Sequence, residues 1–228
     1  MIREIALLLS AHVFADFLLQ PASLAERKKR PLFLLLHAAL HAGTAYVVLQ
    51  QGTLWIVPVY VFLTHAVIDG VKVRVPDDAR SFLIDQGAHV AALLFLLPLG
   101  NALGRPIGFD GSGWRAIIAA AGFLATVRGA GFFIGKVVSP IVERNRLDLG
   151  GLKDGGRMIG QLERALIFLF LLIGEPAGIG FLFAAKSILR FEEAKRRPLA
   201  EYVLIGTLLS FVSAVALGSL TLWALRNG

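Results

Sequence analysis

The chain contains no cysteine. Disulfides, thiolate metal ligands, cysteine nucleophiles and covalently attached c-type haem are therefore excluded. Charge is scarce as well. Asp, Glu, Lys and Arg make up 17% of the 228 residues, where a soluble domain carries about a quarter. Short segments of alternating polarity are missing, which excludes a transmembrane β-barrel. What fills the chain is apolar: 56% of residues are hydrophobic and the mean hydropathy is +0.71. The apolar stretches approach the ~20 residues that span a bilayer as a helix. Hydrocarbon offers no water to satisfy free backbone groups, so spans this numerous must be helical. The composition predicts an all-α, polytopic transmembrane helix bundle.

Eight membrane segments are expected. They run from Ile2 to Gln20, Pro31 to Leu49, Leu54 to Val71, Ser81 to Leu99, Trp114 to Val142, Arg157 to Ile173, Ala177 to Phe191 and Glu201 to Leu225. The Gly174-Glu175-Pro176 turn is tight enough for the sixth and seventh to form a re-entrant pair. The net charge is +7 and the isoelectric point about 10.1, a balance that in a soluble protein suggests nucleic acid. Here the cations alternate by loop. The first loop holds Arg27, Lys28, Lys29 and Arg30, the third Lys72, Arg74 and Arg80, the fifth Arg144, Arg146 and Lys153, and the seventh Lys195, Arg196 and Arg197. The second loop has no charge, the fourth has Arg105 and Asp110, and the sixth has Glu175. This is a positive-inside pattern, with odd loops in the cytoplasm and both termini outside. No nucleic-acid partner is expected.

Residues 1–105 hold all five histidines, and 106–228 form a glycine-rich half with intramembrane charges. Each histidine pairs, four residues along, with another histidine or an aspartate: His12 with Asp16, His37 with His41, His65 with Asp69, and Asp85 with His89. A four-residue step places both side chains on one helix face. Imidazole and carboxylate are ligands for zinc, manganese or iron, so the eight residues predict a buried site for two divalent metal ions. The predicted topology adds a depth argument. Helices one and three run toward the cytoplasm and two and four away from it. The order within the fourth pair is reversed, which keeps aspartate on the cytoplasmic side. His12, His41, His65 and His89 then form one layer, and Asp16, His37, Asp69 and Asp85 form a second, closer to the cytoplasm. Carboxylates in hydrocarbon cost about 2.5 kcal/mol or more each, and two cations would compensate them. A polar network that glues the helices or relays protons accounts for the same residues without metal. A haem pocket would be poorly served by the aspartates.

The second half carries Glu163 and Arg164 in the sixth segment, Lys186 and Arg190 in the seventh, and Arg128 and Lys136 in the fifth. A Glu163–Lys186 ion pair with snorkelling arginines is one reading. A cationic lining for an anionic group is the other, with arginine suited to phosphate. The glycine-rich stretch from Gly150 to Gly156 lacks Walker spacing. Gly131 with Gly135, and Gly156 with Gly160, have the spacing of close helix packing.

His12-x3-Asp16, the His37/His41 pair, and Phe82-Leu83-Ile84-Asp85-Gln86 with His89 together resemble a bacterial inner-membrane family known only as a domain of unknown function. The stretches from Gly156 to Phe191 and from Glu201 to Thr207 resemble it too. That resemblance implies a location in the cytoplasmic membrane. A looser likeness, in residue type alone, is similar to predicted membrane-bound metal-dependent hydrolases. The expected function is metal-dependent hydrolysis of a phosphorylated or otherwise anionic, lipid-linked or small-molecule substrate. The metals would activate water, Asp85 beside Gln86, or Asp69, would act as general base, and Glu163, Arg164, Lys186 and Arg190 would line the substrate site. A divalent-metal or proton-coupled transporter and a di-iron lipid oxygenase are the alternatives.

Overall fold

The computed structural model describes residues 2–49, 55–96, 112–148, 154–189 and 197–228. Among them every regular element is helical, and there is no strand. The uncharged second loop, Arg105 and Asp110, the glycine-rich positions 150–153, Lys195, Arg196 and the proposed anion ligand Arg190 lie outside the described residues.

All eight expected segments are helical. They are α1 (Ile2–Phe17), α3 (Pro31–Leu49), α4 (Ile56–Lys72), α5 (Ala79–Leu94), the pair α6 (Gly113–Leu124) and α7 (Ala130–Asn145) on either side of a π-helical turn (Ala125–Gly129), α8 (Gly155–Ile173), α9 (Ala177–Leu189) and α10 (Arg197–Asn227). A short helix α2 (Ala22–Arg27) was not expected. Among the described residues, three helices are long and apolar enough to cross a membrane: Pro31–Leu49, the run Gly113–Asn145, and Arg197–Asn227. The chain is therefore a membrane protein. Helices α1, α4 and α5 have 16 or 17 residues, about 24–26 Å at helical rise.

Helix ends follow local chemistry. Pro31 stands at the first position of α3, where its missing N–H is no loss. Pro21 disfavours helix in the residues before it, and α1 stops at Phe17 rather than Gln20. Asp78 caps α5 by accepting from the Ser81 backbone N–H at 2.7 Å, while the Ser81 hydroxyl accepts from the Asp78 N–H at 3.2 Å. This capping box starts α5 at Ala79 rather than Ser81. The Ser81 hydrogen bond to its side chain holds the Asp78 carboxyl below the usual aspartate range. A lowered native pKa contributes stability that is complete above the unfolded aspartate pKa and is lost as pH falls through the native one. Asp78→Ala should therefore speed amide exchange at Ser81 and Phe82 near neutrality. Acidification through the native Asp78 pKa should lower protection relative to the intrinsic exchange rate in the wild type but not in the variant. Equal exchange in the two proteins at neutral pH would contradict the cap's role.

The chain divides into two compact units, residues 1–124 with 223–228, and residues 125–222. In the first, α1 packs against α3, α3 against α4, α4 against α5, and α5 back against α1, which closes a four-helix ring; α6 packs on α1. Helix α4 shows how the ring is built. Val57, Val61, His65 and Asp69 recur every four residues and are all buried, whereas Val59, Leu63, Val67 and Val71 are all exposed. One stripe faces the interior and the other presents the apolar surface that lipid requires. The inward stripe runs from apolar to imidazole to carboxylate. The same order holds on α1 and, reversed in sequence, on α5, whereas on α3 His37 stands where the others have aspartate. A buried apolar cluster joins Leu7, Leu8 and Ala11 of α1, Ala45 and Val48 of α3, Val57 and Val61 of α4, and Leu93 of α5. In every case these residues precede or follow the histidine on the side away from the aspartate layer.

In the second unit, α8 packs on α9, on α7 and on the π-helical turn, around a small core of Ile167, Phe211 and Ala214. Gly174, left-handed at φ 80°, ends α8 before Pro176, so the expected tight turn is present. Helix α9 has 13 residues, about 20 Å.

Candidate metal centre

The four ring helices bring the eight paired residues to one buried place. His12, His37, His41, His65, Asp69 and His89 are each at most 5% exposed, and the Asp16 and Asp85 side chains are 11% and 12% exposed. The rings expected in one layer crowd together. Centroids lie 3.9 Å apart for His41 and His65, 4.4 Å for His65 and His89, 5.1 Å for His12 and His41, and 5.2 Å for His12 and His89.

Hydrogen bonds fix which ring nitrogens hold lone pairs. His65 Nδ1 lies 3.0 Å from the Val61 carbonyl oxygen, and His89 Nδ1 lies 2.9 Å from that of Asp85. A carbonyl only accepts, so both Nδ1 atoms donate, and in the neutral ring Nε2 carries the lone pair. The Gln86 amide nitrogen donates to Asp16 Oδ2 at 3.0 Å and to Asp85 Oδ2 at 3.4 Å. That orientation leaves Gln86 Oε1 facing His12 Nε2 at 3.3 Å. His12 therefore donates from Nε2, and its Nδ1 presents a lone pair. That lone pair points at His65 Nε2 across 3.2 Å. Two facing lone pairs repel unless a cation joins them, either a shared proton or a metal ion. The distance suits a metal, since ligands at zinc–nitrogen bond length subtend a tetrahedral edge of about 3.3 Å.

A second convergence lies among Asp16, His37 and His41. His41 Nε2 is 3.1 Å from Asp16 Oδ1 and 3.1 Å from His37 Nε2, and His37 Nε2 is 3.4 Å from Asp16 Oδ1. The three atoms make a nearly equilateral triangle, the shape of one face of a coordination tetrahedron. His12, His41 and His65 form another group of potential ligands, and Asp69, Asp85 and His89 a third; within each group the ligand atoms all lie within 4.8 Å of one another. Several of these atoms are buried without a hydrogen-bond partner: Asp69 Oδ2, Asp85 Oδ1, His89 Nε2, and Nδ1 of His37 and His41. Buried polar atoms normally find partners, and a cation would supply one for the carboxylate oxygens and for His89 Nε2. The donor set of imidazoles and carboxylates fits zinc, manganese or iron. Hydrogen bonds from His12, His65 and His89 to oxygen acceptors are the outer support that metal-binding histidines usually have.

Two members of the site were not assigned a place in it from sequence. Gln86, marked in the sequence only as the neighbour of Asp85, bridges Asp16, Asp85 and His12. Lys28, in the turn after α2, places Nζ 3.4 Å from Asp69 Oδ1. Within the run Arg27-Lys28-Lys29-Arg30 it is indistinguishable from a loop cation.

Of the residues expected to bind an anion, the described ones, Glu163, Arg164 and Lys186, lie in the second unit. Lys186 Nζ donates to Glu163 Oε2 at 2.6 Å. Arg164 donates from Nε and Nη2 to the Val127 carbonyl at 3.2 and 2.8 Å, and from Nη1 to Ser210 Oγ at 3.1 Å. Val127 belongs to the π-helical turn, where the regular backbone ladder is interrupted. The glycines beside Arg164 are explained differently from the sequence expectation of helix packing. A Cβ on Gly131 would stand 2.8 Å from Arg164 Nη2 and one on Gly160 3.1 Å from Nη1, whereas at Gly135 and Gly156 nothing lies within 4 Å. One glycine of each pair makes room for the guanidinium.

No curated protein and no solved structure matches the chain. A family model does match, and its limits are 5 and 103. The stretches from Gly156 to Phe191 and from Glu201 to Thr207 fall beyond that match. Residues 5–103, which include all eight histidines and aspartates of the cluster, match the model of the family described as "Protein of unknown function (DUF3307)".

Proposed function

We propose that His12, Asp16, His37, His41, His65, Asp69, Asp85 and His89 bind two divalent metal ions. On this reading the protein is a metal-dependent hydrolase acting on a phosphorylated or otherwise anionic substrate, lipid-linked or soluble. The observation that carries it is the convergence of deprotonated donors: the 3.2 Å approach of His12 Nδ1 to His65 Nε2 and the Asp16–His37–His41 triangle. Bundle cores with ligand pairs one turn apart are an established way to hold two ions. Bound metal would supply an acidified water and a Lewis acid for the scissile bond. The chain's own residues divide the remaining work. Asp85, whose Oδ1 has no hydrogen-bond partner, or Asp69, takes the proton from water in place of ligating an ion. Gln86 fixes the direction of both Asp16 and Asp85.

We place the protein in the cytoplasmic membrane with the carboxylate layer inward, because the loops next to that layer carry the cations. The apolar cluster behind the histidines closes the opposite end of the ring. It supports a site with one mouth and counts against transport, which requires access from both faces. Arg164 and Lys186 are held by partners in their own unit and are not needed as anion ligands in this mechanism. Elemental analysis of the detergent-purified protein tests the reading: about two ions per chain are expected. A metal-free preparation from metal-replete cells would sink it, and metal uptake into sealed vesicles would favour transport instead.

A further inference from the structure

We propose that Lys28, at the carboxylate end of the ring, forms the seat of a phosphate group and so sets the substrate class of the site. The inference rests on the two-metal reading above. Lys28 is a long, flexible cation at the mouth of the cluster, 16% exposed, with Nζ 3.4 Å from Asp69 Oδ1. The charges decide what it does there. Asp16, Asp69 and Asp85 bring three negative charges. Two divalent ions and one ammonium bring five positive ones, and the histidines as neutral ligands bring none. The filled site thus holds two uncompensated positive charges where water is scarce, a state that draws in an anion.

A carboxylate would neutralise one of those charges. A phosphate monoester, with about two negative charges near neutral pH, neutralises both. Lysine serves phosphate as a mobile point charge on a flexible stem. Once metal satisfies Asp69, the ammonium is released from it to a phosphate oxygen. The phosphate can belong to a lipid headgroup or to a soluble ester, and the chemistry is the same.

The test uses metal-replete, detergent-purified full chain titrated with inorganic phosphate by calorimetry, alongside elemental analysis of each sample. Lys28→Met should keep its metal and bind phosphate at least about thirtyfold more weakly, the effect of deleting one partner of a desolvated charge pair. Lys28→Arg should restore most of the affinity, and acetate should bind far more weakly than phosphate to the wild type. Short-chain phosphatidic acid then identifies the source. Competition with phosphate supports the site as a headgroup seat, and no competition supports it as a seat for a soluble ester. Phosphate binding that is unchanged in Lys28→Met, or absent from a metal-replete wild type, overturns the inference and leaves the metal reading standing. Loss of metal from Lys28→Met also overturns it, because Lys28 would then act on the metal site itself. A metal-free wild type overturns both, and elemental analysis separates that case from the others.

Discussion

Replacing His41 and Asp69 together by alanine is expected to abolish the proposed metal binding. His41 is the residue on which the double variant turns. Its Nε2 meets both Asp16 and His37 at 3.1 Å, and its ring lies 3.9 Å from that of His65. It belongs to two of the three ligand groups, and Asp69 belongs to the other. The pair of changes therefore damages every group at once, while each removes a side chain rather than adding one. Elemental analysis should fall from about two ions per chain to buffer background. A second readout follows from linkage. An ion present at a thousandfold excess over its dissociation constant stabilises the folded state by about 4 kcal/mol. Chelation should lower the wild-type melting temperature and leave that of the double variant unmoved. A wild type that carries no metal and does not respond to chelator would leave a shared proton as the cation between His12 and His65, and the hydrolase proposal would then fail.

The largest effect in the other unit is expected at Arg164. Arg164→Leu removes the donors that serve the Val127 carbonyl and Ser210. A serine hydroxyl can turn back to the carbonyl one helical turn before it. A carbonyl in a π-helical turn has fewer options. Losing its donor and leaving a partial cavity should cost about 2–4 kcal/mol. Gly131→Ala attacks the same contact from the opposite side, with a methyl carbon 2.8 Å from Nη2, and should cost about 1–3 kcal/mol. Gly135→Ala and Gly156→Ala have open space and should be neutral or stabilising by up to about 1 kcal/mol, since alanine is the better helix former. Thermal unfolding in detergent ranks all four. A Gly131→Ala protein as stable as Gly135→Ala would show that the guanidinium does not need the glycine.

The helices and the ligand pairs were legible in sequence for one reason: both follow from periodicity. Long apolar runs bounded by Pro31 or by basic loops have few outcomes other than membrane helices. A four-residue spacing fixes a shared face whatever the packing, so His65 and Asp69 were bound to point the same way. The gathering of four such faces was inferable because a buried acid needs a partner. What escaped depends on contacts between elements far apart in the chain. Lys28 meets Asp69 across 41 residues, and nothing local separates it from Lys29. The π-helical turn has no composition of its own, and the role of Gly131 depends on an arginine 33 positions later. Helix α2 has six residues, too few for a periodic signal.

The ring has a bearing on how the protein is made. Helix α1 is synthesised first and α5 last among the four, yet the two are neighbours and contribute His12, Asp16, Asp85 and His89 to one cluster. The nascent chain therefore carries lone acids and imidazoles through the translocon before their counterparts exist. Asp16, His37 and His41 can meet once α3 is made and His65 joins with α4, but the Asp69–Asp85–His89 group is complete only with α5. On the proposed two-ion reading, the group that contains Asp85 and His89 could take its ion only after that moment, which would make the second ion a finishing step of biogenesis.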